Sequence, residues 1–201
     1  VMPLDAMPSE PREYYGSLGY ERMTFTLEAA GRYEPAAQTL SLNQFNLVAL
    51  DAGTVNIKFT FGGLTNLNGM MRDSGAAQLL LATLALNSFE LKVTDAGFVK
   101  RHVAHGARKM QVVPEVYVEQ MINAIRPVAG GGGQGEQKLA QLYRAVSSFL
   151  LNPGELTINA KPERPVPFLQ LIFSLNSPSA AAENLNISAT NRQLEQSSPA
   201  P

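Results

Sequence analysis

One fourteen-residue phrase occurs twice in this chain, and it constrains the fold more than any other feature. Residues 42–55 and 86–99 share the pattern L-N-x-F-x-L-x-x-x-D-A-G-x-V, with eight of the fourteen positions identical and an offset of 44 residues. In both copies apolar and polar residues alternate before Asp-Ala-Gly. Such alternation is typical of a half-buried strand, and Asp and Gly favour tight turns. Each copy therefore predicts one strand and its exit turn in a single sheet.

The chain continues differently after the two copies. Alternation resumes after the first copy and predicts a hairpin at Asp51-Ala52-Gly53. After the second copy, residues 98–109 have helical spacing. We expect both glycines of the repeated turns, Gly53 and Gly97, to adopt positive φ. The phenylalanines and leucines of the two strands are expected to face the same core; these are Phe45, Leu47, Phe89 and Leu91.

The order of elements predicts an α+β fold. Residues 20–62 alternate as three strands of an antiparallel meander with one apolar face. The phase of this alternation slips at Asn43-Gln44, where we expect a β-bulge. The predicted helices then cluster between about residue 64 and residue 151, with the strand of the second copy of the phrase among them. A run of strands followed by a run of helices predicts an antiparallel sheet with the helices packed on one face.

Length and local composition predict a single domain. A chain of 201 residues is long enough for one hydrophobic core. Residues 1–19 contain three prolines and little periodicity, which predicts an extended N-terminal lead-in. Residues 20–190 are expected to form the α+β domain. Residues 191–201 are expected to form a polar C-terminal tail.

Bulk composition narrows the classes of function. Net charge is −1 and charged residues make up 16%, against about 25% in ordinary soluble domains. Such a chain has no overall field that would attract nucleic acid. Cysteine is absent, so disulfides and thiol chemistry are excluded. No apolar run approaches the ~20 residues of a transmembrane helix.

The motifs that most often mark catalysis or cofactor binding lack their usual context. Residues 130–135 match G-x-G-x-x-G, but a dinucleotide site needs that motif directly after a strand. In this chain a predicted helix precedes the glycine motif. We therefore interpret residues 130–135 as a flexible loop and expect no cofactor. His102 and His105 share one face of a predicted helix. They form either a metal site or part of a solvated face, and our prediction contains no catalytic or metal-binding residue.

Two groups of side chains suggest binding. The N-terminal tyrosines either pack on the core or stack on single-stranded nucleic acid, and packing is the preferred interpretation. Methionine is adaptable and common at permissive apolar surfaces. We therefore predict an apolar groove for a lipid-like ligand, with a closed core as the alternative. Four methionines of the predicted helices would line this groove; they are Met70, Met71, Met110 and Met121.

Four stretches of the chain carry a resemblance to a known group. Residues 17–23, 31–42, 149–157 and 162–167 together resemble uncharacterised exported proteins of Gram-negative bacteria. The resemblance implies a periplasmic location and transfers no catalytic residue. Because numbering begins at Val1 and not at Met, we expect a signal peptide to have been removed.

These observations favour a non-enzymatic protein of the cell envelope. It would act through a protein partner, an assembly or an apolar ligand, without nucleic acid and without a transmembrane segment. One alternative is a hydrolase-type enzyme whose site is assembled only in three dimensions. Another is an intracellular scaffold protein.

Overall fold

The computed structural model describes residues 2–3, 8–64, 82–125, 133–174 and 176–193. In these ranges the chain is α+β, with one open antiparallel sheet of seven strands, a separate two-stranded sheet and six helices. The predicted fold class is confirmed.

The strands are β1 (Met2–Pro3), β2 (Arg22–Met23), β3 (Phe25–Glu34), β4 (Thr39–Ala49), β5 (Gly53–Gly62), β6 (Ala85–Asp95), β7 (Glu155–Ala160), β8 (Val166–Pro167) and β9 (Ile187–Arg192). The helices are α1 (Ser9–Ser17), α2 (Phe98–Met110), α3 (Pro114–Ile125), α4 (Gln134–Leu151), α5 (Phe168–Ser174) and α6 (Pro178–Asn184).

The large sheet runs in the order β3-β4-β5-β6-β7-β9, and β8 pairs with one end of β6. Every pairing in it is antiparallel. Because β4 and β6 flank β5, the two copies of the repeated phrase run parallel to each other on either side of one strand. Their Asp-Ala-Gly turns therefore lie at the same end of the sheet.

One face of this sheet is apolar. Directly opposed residues share a face, and the pairing forms a row across five strands that consists of Leu27, Leu47, Val55, Val93 and Leu156. The adjacent row, on the other face, is polar and consists of Glu28, Asn46, Asn56, Lys92 and Thr157. This is the alternation that the sequence predicted.

Each copy of the phrase contains a β-bulge at its asparagine. Ala30 pairs with Gln44 and Gly31 with Leu42, which leaves Asn43 as the extra residue of β4. In β6, the pairs Thr60 with Ser88 and Phe61 with Leu86 leave Asn87 as the extra residue. An extra residue reverses the alternation, so the leucine before each asparagine and the phenylalanine after it share the apolar face. The bulge predicted at Asn43-Gln44 is confirmed, and the second one follows the same rule.

The helices cover the apolar face at its β6-β7-β9 end. Ala145 and Phe149 of α4 are buried against Leu156 of β7. Farther from the sheet, Val103 of α2 packs with Val118 and with Ile122, both on α3. Truncating a buried aromatic side chain to Ala usually costs ~3–5 kcal/mol, which makes Phe149 a main anchor of this layer.

The predicted extended lead-in is wrong over part of its length, because Ser9–Ser17 forms helix α1. Pro11 lies in the first turn, where backbone N–H groups have no helical partner and the missing one costs nothing. The segment after the helix belongs to the core, since Leu18, Tyr20 and Met23 are buried together. At the other end, β9 extends to Arg192, two residues into the predicted tail.

Both glycines of the repeated turns have positive φ, 152° at Gly53 and 128° at Gly97, as predicted. The phenylalanine and leucine of each copy also share the apolar face of one sheet, because Leu47 pairs with Val55 while Leu91 pairs with Ile57 on the same strand.

Candidate apolar binding site

The two Asp-Ala-Gly turns contact each other and form one wall of the candidate site. The Ala52 carbonyl accepts hydrogen bonds from the N–H groups of Ala96 at 3.0 Å and Phe98 at 3.2 Å. Asp95 Oδ1 accepts a hydrogen bond from the Val99 N–H at 2.8 Å. The first N–H groups of a helix have no partner inside it. The Ala52 carbonyl and the Asp95 side chain thus supply hydrogen-bond acceptors for the start of helix α2.

Gly53 is required for this close approach. A Cβ atom at this position would lie 2.4 Å from the Thr94 carbonyl oxygen. Its φ of 152° also lies in a region that other residues rarely adopt. Both facts mean that a side chain here would push the turns apart.

A mostly apolar recess lies beside the two turns, between the sheet and helices α1 and α2. Its volume is about 180 Å³. The described residues that line it are Tyr15, Met23, Phe25, Leu47, Ala49, Ala52, Gly53, Thr54, Val55, Val93, Thr94, Asp95, Phe98 and Val99. The single carboxylate in this set, Asp95, already accepts the capping hydrogen bond from α2.

The recess continues onto an apolar surface that solvent reaches. Phe25, which lines the recess, is 41% exposed. Leu27 is 60% exposed and pairs directly with Leu47, another lining residue, on the same face. Exposed apolar surface that adjoins a concave site often marks a binding surface. The apolar face is therefore open along β3, at the end opposite to helix α4.

The N-terminal tyrosines join α1 to α2 and are used for packing. Tyr20 is buried, and its hydroxyl donates a hydrogen bond to the Asp51 carbonyl at 3.2 Å. The Arg101 guanidinium lies 4.6 Å from the centre of the Tyr20 ring, a cation–π geometry. Burial raises the pKa of Tyr20, and the neighbouring Arg101 charge opposes that shift. The packing interpretation explains these contacts.

His102 forms the second link between these helices. The Tyr14 hydroxyl lies 2.5 Å from His102 Nδ1, and the imidazole stacks on Phe98 with 6.1 Å between ring centres. Burial lowers the pKa of His102 because it disfavours the charged imidazolium. The charge of His105 lowers it further. Neither Tyr14 nor His102 lines the recess.

Within the described ranges, no group of three or more His, Asp or Glu side chains is arranged to hold a metal ion. His102 and His105 thus lack a third such ligand among the residues that the structure describes.

Comparison with known proteins relates the chain to one family. A protein-family model described as "Uncharacterized protein" matches residues 26–192. The chain belongs to this family. The matched range includes both copies of the repeated phrase and nearly all of the seven-stranded sheet. No curated protein and no solved structure matches the chain.

Half of the predicted methionine groove lies outside the described residues. Met70 and Met71 fall there. Met110, the last residue of α2, is 52% exposed, and Met121 of α3 is half-buried. Neither of these two lines the recess, so the four-methionine groove stays a prediction. The glycine-rich loop also falls outside the described residues at positions 130–132, and α4 begins just after it.

The recess itself was not predicted from the sequence. Its lining comes from β2 to β6 and from two helices. Only the repeated Asp-Ala-Gly phrase indicates in the sequence that these segments meet. Among the described helices, none combines the length and the apolar character needed to cross a membrane.

Proposed function

We propose that this protein is a non-enzymatic binding protein that holds a slender apolar ligand, such as a lipid acyl chain, in the recess and along the open apolar face of β3. The observation that supports this most directly is the exposure of Leu27 beside Leu47, a residue that lines the recess. Covering such surface is favourable, because burying one CH₂ group contributes ~0.8 kcal/mol.

The dimensions of the recess limit how much of a ligand it can enclose. Most small-molecule sites have volumes of roughly 300–1,000 Å³, and this recess has about 180 Å³. An engineered apolar cavity of ~150 Å³ accepts a benzene-sized molecule. A longer ligand would therefore place one end in the recess and extend along the surface formed by Phe25 and Leu27.

The proposed location is the bacterial periplasm. The absence of cysteine and the low share of charged residues support this proposal. Fractionation of the native bacterium, followed by detection of the protein in periplasmic and cytoplasmic extracts, tests it. Recovery from the cytoplasm alone would instead favour the intracellular scaffold hypothesis.

Titration with cis-parinaric acid, a fatty acid that fluoresces when its surroundings are apolar, tests ligand binding. We expect saturable binding that Ala49→Phe weakens at least tenfold, since the larger ring would occupy part of the recess. Leu27→Glu, which places a charge on the open face, should weaken binding about tenfold. Leu169→Glu is the matched control, because Leu169 is 42% exposed but belongs to α5.

Equal affinity of all four proteins for the probe would refute the proposal. Lipid extraction from protein purified from its source, followed by mass spectrometry, identifies the natural ligand. Consumption of a lipid or ester substrate by the purified protein, abolished by His102→Gln, would instead favour the hydrolase alternative.

A further inference from the structure

Strand β3 presents a long free edge. It pairs with β4 at ten positions, from Phe25 to Glu34, and the described part of the chain places no strand on its other side. Every second residue of such an edge directs its N–H and C=O groups outward, ready to pair with another strand. Proteins often block free edges with proline or with charged side chains, especially lysine. Residues 25–34 contain no proline and no lysine, and their charged residues are Glu28, Arg32 and Glu34.

Two charges on β3 are spaced symmetrically about Ala30. Glu28 and Arg32 lie two residues to either side of it, on the polar face, and both are exposed. If β3 pairs antiparallel with β3 of a second copy about a two-fold axis at Ala30, Glu28 of each copy lies opposite Arg32 of the other. Opposite charges that face each other across strands stabilise the pair.

The pairing about Ala30 also brings compatible side chains together on the apolar face. It places Leu27 opposite Tyr33 of the second copy, so that an exposed leucine packs beside an aromatic ring. Near the axis it brings together only the small residues Ala29, Ala30 and Gly31, which permit close approach of the two strands.

Other registers fit less well. An axis at Gly31 would place Glu28 opposite Glu34 of the second copy, and an axis at Glu28 would place the two Glu28 carboxylates together. A slip by one residue would set the apolar face against the polar face. Charge complementarity therefore selects the axis at Ala30.

We propose that β3 is a homodimer interface, in which two copies of this chain pair antiparallel about Ala30 and join their large sheets into one. The apolar faces of the two copies then form a continuous surface. Existing contacts leave room for the new ion pairs. Glu28 accepts one hydrogen bond from Gln44 at 2.8 Å, and Arg32 contacts Glu34 at 3.2 Å through Nε, which leaves its terminal nitrogens for the second copy.

Sedimentation equilibrium of the whole purified chain, from low to high micromolar concentration, tests the proposal. We expect a monomer–dimer equilibrium at low salt. Glu28→Arg and Arg32→Glu should each weaken dimerisation about tenfold or more, because each turns two attractive cross-strand contacts into two repulsive ones. Both changes are on the exposed polar face, so circular dichroism spectra, and melting temperatures measured at concentrations where the wild type is monomeric, should stay close to those of the wild type.

Mixing the two single variants gives the sharpest result. In a mixed dimer one copy carries arginine at both positions and the other carries glutamate at both, so the two cross-strand contacts are attractive again. Equimolar Glu28→Arg and Arg32→Glu chains should therefore dimerise as strongly as the wild type, and the double variant carrying both changes should recover in the same way. Arg12→Glu, which makes the same charge change on α1, is the control and should leave dimerisation unchanged. A strictly monomeric wild type, a dimer that neither single variant weakens, or a mixture that fails to recover would overturn the proposal.

Discussion

Replacing Gly53 by alanine should destabilise the protein strongly, because this position joins the two repeated turns. A Cβ atom here would lie 2.4 Å from the Thr94 carbonyl oxygen, and that contact is with backbone, which cannot rotate away. The φ of 152° adds conformational strain, and residues held in such regions cost about 1–3 kcal/mol. Strain and clash together predict a loss of about 2–4 kcal/mol in the free energy of unfolding.

Thermal unfolding followed by circular dichroism measures this loss. For a chain of 150–250 residues, 1 kcal/mol corresponds to roughly 2–4 °C in Tm, so Tm should fall by about 4–16 °C. Gly16→Ala is the matched control. A Cβ at Gly16 meets nothing within 4 Å, and alanine is favoured over glycine in a helix by ~0.5–1 kcal/mol. Equal melting temperatures for Gly53→Ala and the wild type would refute the argument that the two turns depend on a missing side chain.

Three further changes test contacts in different parts of the fold. Phe149→Ala should lower the free energy of unfolding by about 3–5 kcal/mol, measured by urea denaturation, whereas Phe173→Ala at an exposed position should change it by less than about 0.5 kcal/mol. Because the pKa of His102 is lowered from 6.5 by burial, its contribution to stability is complete above pH 6.5 and is lost as pH falls through the lowered value. His102→Gln should therefore flatten the decline of stability as pH falls below 6.5, and an unchanged slope would contradict the stated cause of the shift. Tyr20→Phe removes the hydrogen bond to the Asp51 carbonyl and should cost about 0.5–1.5 kcal/mol in urea denaturation, so an unchanged midpoint would show that this bond contributes nothing.

The sheet could be predicted because its signals are local. Alternation in the repeated phrase established which residues share the apolar face, and glycine after Asp-Ala established the turns. The bulge at Asn43 left a visible phase slip. The equivalent bulge at Asn87 leaves no visible phase slip, because β6 begins at Ala85 and only two strand residues precede the asparagine.

Helix α1 could not be predicted because its stability comes from distant contacts. It has no buried residue within its own span, so the apolar stripe that signals an amphipathic helix is missing. Tyr14 and Tyr15 instead contact His102 and Phe98, respectively, in a helix that is distant in sequence. Packing of this kind becomes visible only when the topology is known.

The recess could not be predicted for a related reason, since it depends on which strands are neighbours. Two phrases separated by 44 residues become adjacent only because β5 lies between β4 and β6. From the sequence, the methionines of the predicted helices were the more visible candidates for an apolar groove. In the structure, residues of the two Asp-Ala-Gly turns line the recess, and Met110 and Met121 do not.

The repeated phrase therefore serves two different purposes in one structure. The first copy closes a hairpin, and its Ala52 carbonyl is left to accept N–H groups from the second copy. The second copy begins a helix, whose first N–H groups need such acceptors. The turn of the first copy thus supplies the hydrogen-bond acceptor, and the turn of the second copy supplies the N–H donors. These hydrogen bonds form only because the two turns lie close together. Since Gly53 both permits that approach and lines the recess, a side chain at this position should disturb ligand binding and stability together.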